Sequence, residues 1–143
     1  MSAATDIADA IAASINATSF GAAVNAARVH LPIFDLEKVG NALQVSVVSR
    51  SVAVKPASRS TNFFDFTTDI GVQQRIDPGD SAQVDALLDL VEQIGDHLRL
   101  SRLAMFTNAQ WIATEHDPVL AGEHLERLNV FTSVLTVTHR LTR

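Results

Sequence analysis

The side chains of this sequence best suited to metal binding or acid–base chemistry are its five histidines, two of which lie in one acidic segment. His116 and His124 occur in "EHDPVLAGEH", beside Glu115, Asp117 and Glu123. Zinc sites use His, Cys and carboxylate ligands at characteristic short spacings, and a spacing of eight residues across a proline matches none of them. The chain has no cysteine, which also excludes thiolate nucleophiles and disulfides. We therefore predict no metal site and no cofactor.

Paired carboxylates are the next candidate for chemistry. Asp65 and Asp69 lie four residues apart on one face of a predicted strand, which separates them by about 13 Å. Paired-carboxylate catalysis needs about 5 to 9.5 Å. The sequence also lacks a P-loop, G-x-G-x-x-G, G-x-S-x-G or H-E-x-x-H pattern. We therefore predict that the protein is not an enzyme and has no catalytic residues.

The charge distribution points to surfaces instead. A net charge of −5 argues against a protein that wraps nucleic acid, and a single Trp with no Tyr argues against base stacking. Residues 40–64 contain three bases and no acid, whereas residues 77–96 contain six acids and no base. These are either a solvated loop and helix face, or a positive and a negative patch that meet between neighbouring copies. On the second interpretation the predicted interface residues are Arg50, Lys55, Arg59, Asp65, Asp69, Arg75, Asp85, Asp89, Glu92 and Asp96.

Hydrophobic periodicity predicts the elements that position these charges. Ile7, Ile11 and Ile15 indicate a first helix. A second is indicated by an apolar stripe expected to pack on the sheet, made of Val84, Leu87, Leu88, Val91, Ile94 and Leu98. The predicted helices are 5–18 and 81–100, with a helical turn at 120–128. The predicted strands are 27–31, 43–54, 63–76, 104–116 and 130–141, with a turn at 35–41. The apolar parity changes after Ser49, which predicts a bulge.

The stretch "FFDFTTDIGVQQRI", residues 63–76, alternates apolar and polar residues throughout. Such a strand would be about 45 Å long, whereas a compact chain of this length is roughly 37 Å across. We therefore predict that it leaves the body in a long hairpin with residues 43–54. The fold class is α+β: a small single domain over 1–143, with a mostly antiparallel or mixed sheet of about four to five strands, two main helices and a protruding hairpin. No apolar run is long enough to span a membrane.

The order of these features resembles the tail terminator, or tail-completion, proteins of long-tailed bacteriophages. Four segments carry the resemblance over most of the chain: "HLPIFDLEKVGNALQVSVV", "ASRSTNFFDFTTDIGVQQRI", "VDALLDLVEQIGDHL" and "VFTSVLTVTHRL". The matching residues are Leu36 and Val39, Ser58-Arg59, Gly71-Val72-Gln73 with Arg75, Leu87-Leu88 with Leu90-Val91, and Phe131-Thr132-Ser133.

The resemblance implies a structural virion protein. Members of that family form a ring, usually a hexamer, that caps the head-proximal end of the tail tube, ends tube polymerisation and offers a surface to head-completion or neck proteins. The implied partners are other copies of the chain, the tube protein and a neck protein, with DNA only as cargo through the lumen. The implied location is the virion, and the host cytoplasm during assembly. Two alternatives are a different neck or connector protein, such as a stopper or adaptor, and a small α+β enzyme.

Overall fold

The computed structural model describes residues 2–20, 24–29, 42–77, 79–103, 106 and 108–143. These residues form three helices and five strands in one small α+β domain, as predicted. The helices are α1 (Ala3–Asn16), α2 (Ser81–Leu100) and α3 (Gly122–Leu128). The strands are β1 (Ala26–Arg28), β2 (Gln44–Pro56), β3 (Asn62–Arg75), β4 (Gln110–His116) and β5 (Val130–Thr142).

The five strands make one mixed sheet in the order β1-β2-β3-β5-β4. β1 is parallel to the start of β2, and all other neighbours are antiparallel. The register of β2 against β3 shifts between Ser49 and Ser51, so the bulge predicted after Ser49 is confirmed. β5 lies between β3 and β4 and is therefore a central strand.

Two helices cover one face of the sheet, which we call the helix face. α1 packs on β1, β2 and β3, and α2 packs on β5 and β4. Asn16 joins the end of α1 to β1, since its side chain donates to the Ala26 carbonyl and accepts from the Ala26 amide. Strand residues facing this side alternate with residues on the other side, the opposite face. α3 packs on β5, and its His124 reaches Thr132 on the opposite face.

The apolar stripe of α2 is close to the predicted one. Its buried residues are Leu87, Leu90, Val91, Ile94 and Leu98. Leu88, which we expected to be central to packing, is only partly buried, as is Val84. The helix is therefore rotated slightly about its axis relative to the expectation, and Leu90 takes the place of Leu88 in the core.

The long hairpin of β2 and β3 is present, but its predicted protrusion is not confirmed. β5 pairs with β3 along nearly its whole length, from Arg75↔Val130 to Phe63↔Thr142. Asn62 and Arg143 then exchange two further backbone hydrogen bonds. The far end of the hairpin is therefore one side of a three-stranded sheet, and not a two-stranded ribbon.

Some predictions concern residues outside the described part of the chain. The predicted turn at 35–41 and most of the segment that carries Leu36 and Val39 lie outside the described residues, as do His30 and the end of the predicted strand 27–31. The predicted strand 104–116 begins at Gln110, and residues 104, 105 and 107 lie outside the described part.

Candidate functional site

The two outer strands of the sheet present two edges on opposite sides of the domain. β1 occupies the outer edge of β2 only at Val45 to Val47, with one further hydrogen bond from the Val29 amide to the Val47 carbonyl. Beyond that point lies the distal segment of β2 (residues 49–56), whose outer edge has no strand partner among the described residues. β4 ends the strand order on the other side, so its outer edge is likewise unpaired within the described part of the chain.

The predicted basic residues lie at the β2 side. Arg50 occupies the bulge, Lys55 lies near the end of β2, and Arg59 lies in the turn between β2 and β3. All three are exposed. Arg50 approaches Asp69 on the opposite face at 3.6 Å, with 59% of its own side chain still exposed. A pair this open contributes little to stability, so these bases remain available to a partner.

The predicted acidic residues Asp85, Asp89, Glu92 and Asp96 are all exposed on α2. Because α2 covers β5 and β4, this acidic surface lies toward the β4 side of the sheet, whereas the bases lie toward β2. Glu92 and Asp96 line a groove together with Thr114 and His116 of β4. The two oppositely charged segments of the sequence therefore lie at opposite edges of one sheet.

Asp65 does not belong with the available charges. It is 8% exposed, and Arg140 donates two hydrogen bonds to its carboxylate, at 2.7 and 3.0 Å. These hydrogen bonds and the Arg140 charge hold the pKa of Asp65 below its usual value, although burial opposes them. Arg140 also lies over the Phe63 ring, 4.2 Å from its centroid. Both oxygens of Asp65 are engaged within the chain, and we leave this residue out of the proposed interface.

Asp69 and Arg75 also make contacts within the domain. Asp69 accepts a hydrogen bond from the Thr136 hydroxyl at 2.7 Å, in addition to its pair with Arg50. Arg75 donates to the Leu128 carbonyl at the end of α3. Both side chains therefore help to order the opposite face of the sheet.

The two histidines that suggested a metal site are separated by the sheet. His116 of β4 lies 2.6 Å from the Ser133 hydroxyl, and His124 of α3 lies 2.9 Å from the Thr132 hydroxyl. Thr132 and Ser133 are consecutive in β5, so their side chains point to opposite faces. Within the described residues no group of three or more His, Asp or Glu side chains is arranged to hold a metal ion.

The pair of His116 and Ser133 has the residue types of a nucleophile and its base, but not the access. Ser133 is 0% exposed, so a substrate carbonyl cannot reach its hydroxyl. Burial lowers the pKa of His116, although Glu92 acts against it. The hydrogen bond between these two side chains therefore ties β4 to β5 on the helix face.

Two other histidines, His97 and His139, are structural. The His97 ring of α2 lies within hydrogen-bond distance of Ser14 and Thr18, and so joins α2 to α1 and the residues that follow it. His139 of β5 is 1% exposed, and neither ring nitrogen has a partner among the described residues. Burial lowers the pKa of His139 to about 4, so its ring is neutral near pH 7.

No described helix is both long and apolar enough to cross a membrane. Neither the models of protein families nor the sequences of curated proteins give a match to this chain.

Proposed function

We propose that this chain is a tail terminator: a structural protein of a phage virion that forms a ring on the head-proximal end of the tail tube. The ring ends tube polymerisation and offers its other surface to the head or neck. Capping of this kind needs no catalytic residue, cofactor or metal. It needs a chain that associates with a fixed number of copies of itself and then adds no more.

One observation carries the proposal: the basic and the acidic surfaces lie at opposite edges of the same sheet. Arg50, Lys55 and Arg59 lie on the β2 side, and the acidic face of α2 lies on the β4 side. Surfaces of opposite charge on opposite sides of one chain favour a head-to-tail contact, in which each copy uses two different patches. A heterologous contact gives a closed ring when the rotation between copies closes, and a filament when it does not.

The charge balance suits the proposed lumen. The net charge of −5 repels phosphate, and DNA that passes through a ring during injection should not be held by it. Asp65 is neutralised within the chain by Arg140, so the exposed acids of α2 contribute strongly to the surface charge.

A tube-capping assay tests the proposal. The purified chain is added to a polymerising preparation of the tail tube protein from the same genome, and negative-stain images are scored for tube length and for the structure of the tube ends. We expect shorter tubes with one extra ring at one end, and a substoichiometric amount of the chain should suffice. Rings that leave tube length and tube ends unchanged would instead favour the alternative of a stopper or adaptor elsewhere in the neck. The absence of any ring would overturn the proposal.

A further inference from the structure

We propose that copies of this chain join through their sheets: the distal segment of β2 in one copy pairs antiparallel with the outer edge of β4 in the next. The partner is a second copy of the chain, and main-chain hydrogen bonds between the two edges hold the joint, as in strand addition. This inference rests on the proposed ring and specifies which surfaces build it.

The topology fixes the direction of such a joint. β2, β3, β5 and β4 alternate in direction, so β4 runs opposite to β2 within one copy. In a ring whose axis follows the strands, all copies have the same orientation. The β4 of one copy therefore runs opposite to the β2 of its neighbour, and their pairing is antiparallel.

The two edges also lie at the same level of the sheet. One row of paired residues runs from Val48 through Asp69 and Thr136 to Glu115, and another runs from Ala53 through Asp65 and Arg140 to Gln110. β4 thus spans the rows of residues 48–53 in β2. This stretch includes most of the part of β2 that β1 leaves open.

The side chains at the two edges are complementary on the opposite face. In the described structure Arg50 extends over this face toward Asp69, and Glu115 lies on the same face because its partner is Thr136. Residues 44–56 carry bases and no acid, whereas β4 carries an acid and no Lys or Arg. Antiparallel pairing without a stagger places Glu115 of one copy opposite Val48 of the next and diagonal to Arg50 on the same face, within reach of the long Arg50 side chain.

The helix face is complementary in a different way. Val52 and Val54 of β2 are 45% and 57% exposed, although their cross-strand partners Phe66 and Phe64 face the core. At the other edge, Leu100 is 72% exposed and lines an open groove of about 570 Å³ between the end of α2 and the start of β4, together with polar side chains that include Arg99 and Arg102. Trp111 lies in that groove, in the same row as Val52. A joint between the edges brings the exposed valines of one copy to this groove of the next.

Single cysteines test the joint, because the chain has none of its own. Four variants each carry one: Arg50→Cys or Ala53→Cys in β2, and Gln110→Cys or Ala113→Cys in β4. All four positions are on the opposite face. Pairs of variants are mixed, allowed to assemble and oxidised mildly, and disulfide-linked dimers are counted on a denaturing gel. A disulfide forms only between Cα atoms about 4.4 to 6.8 Å apart, so the assay reports register.

We expect dimers from Arg50→Cys mixed with Ala113→Cys and from Ala53→Cys mixed with Gln110→Cys, and none from the crossed mixtures. The matched control is Gln44→Cys, which is exposed on the same face of β2 but lies beyond the stretch that β1 occupies, away from the proposed joint. It should not link to Ala113→Cys. The double variant with cysteines at 50 and 113 should give a ladder that stops at the number of copies in the ring.

The other outcomes distinguish a failure of the proposed strand pairing from a failure of the proposed ring. Dimers only in the crossed mixtures would mean parallel pairing, and dimers from a single variant alone would mean a symmetric contact; both overturn the inference. Rings in negative stain without any cross-link would also overturn it but leave the proposed function standing. If the cysteine variants form neither rings nor links while the unmodified chain forms rings, a charge reversal decides. Arg50→Glu should prevent assembly, and Glu115→Arg in the same chain should restore it. Assembly that the double reversal does not restore would overturn the direct contact between these two side chains.

Discussion

Two regions of β2 have similar sequences and opposite surroundings. Val45 and Val47 are 2% and 0% exposed beneath α1, whereas Val52 and Val54, past the bulge, are 45% and 57% exposed. All four side chains point to the helix face. Apolar side chains that the chain's own helices leave uncovered gain free energy when another surface covers them. The first region is what holds the domain together, and the second is available to hold copies together.

The row of the sheet that contains Val52 shows where the covering of the helix face ends. His139 pairs with Phe66, and Phe66 pairs with Val52, so the three lie side by side. His139 and Phe66 are 1% and 4% exposed, and Val52 is 45% exposed. The core therefore extends along β5 and β3 to this level but not across to the edge strand.

The largest expected effect concerns His139. Its pKa falls from 6.5 to about 4 on folding because the charged ring is excluded from the core. The unfolded chain therefore binds the proton more readily. The contribution of His139 to the free energy of unfolding is therefore fully present above pH 6.5. It decreases by about 3 kcal/mol as the pH falls to 4. Urea unfolding between pH 7 and 4 measures this loss, and a His139→Gln variant should lose much of the dependence. An equally steep dependence in the variant would assign the effect to the carboxylates, such as Asp65.

A smaller effect separates the two regions of β2 directly. Val47→Ala removes buried methyl groups and should lower the free energy of unfolding by about 2 kcal/mol. Val54→Ala removes the same atoms from an exposed position and should change it by less than about 0.5 kcal/mol. Denaturant unfolding of dilute, unassembled chain makes the comparison. Equal losses at the two sites would contradict the division of β2 into a core part and a free part.

The smallest effect on stability should accompany a large effect on assembly. Arg50→Glu changes an exposed residue of the β2 bulge, so the free energy of unfolding should shift by less than about 1 kcal/mol. Ring formation should fail, most clearly at low salt, where repulsion from Glu115 of the next copy is least screened. Glu115→Arg in the same chain should restore part of it.

Arg127→Glu provides the control for this experiment, because it makes the same change of charge at an exposed position of α3. It should assemble like the parent. Normal assembly of Arg50→Glu at low salt would show that the bulge is only solvated and takes no part in the contact.

Local patterns in the sequence predicted the elements well. The alternation of residues 63–76, the change of parity after Ser49 and the stripe of α2 all correspond to observed features. Each feature depends on residues close together in the sequence, so the periodicity of the side chains predicts it. The shared parity of His139 with Leu135, Val137 and Leu141 was a signal of its burial, although the residue type argued against it.

What the sequence did not provide was the pairing of distant strands. The length of β3 predicted a protruding ribbon because only its hairpin partner was considered. β5 is almost as long and lies along β3 on the other side, so three long strands share the length. The same lack of long-range information concealed the two sheet edges, since neither follows from residues close in sequence.

The central claim is that opposite edges of one sheet join copies of this chain head to tail into a closed ring. Native mass spectrometry over a range of concentrations tests it most directly, because it counts copies of the 15.4 kDa chain. The account predicts one dominant closed species, with six copies as the number that the resemblance implies, and few intermediates between it and the monomer. A chain that stays monomeric throughout, or stops at a symmetric dimer, would contradict it.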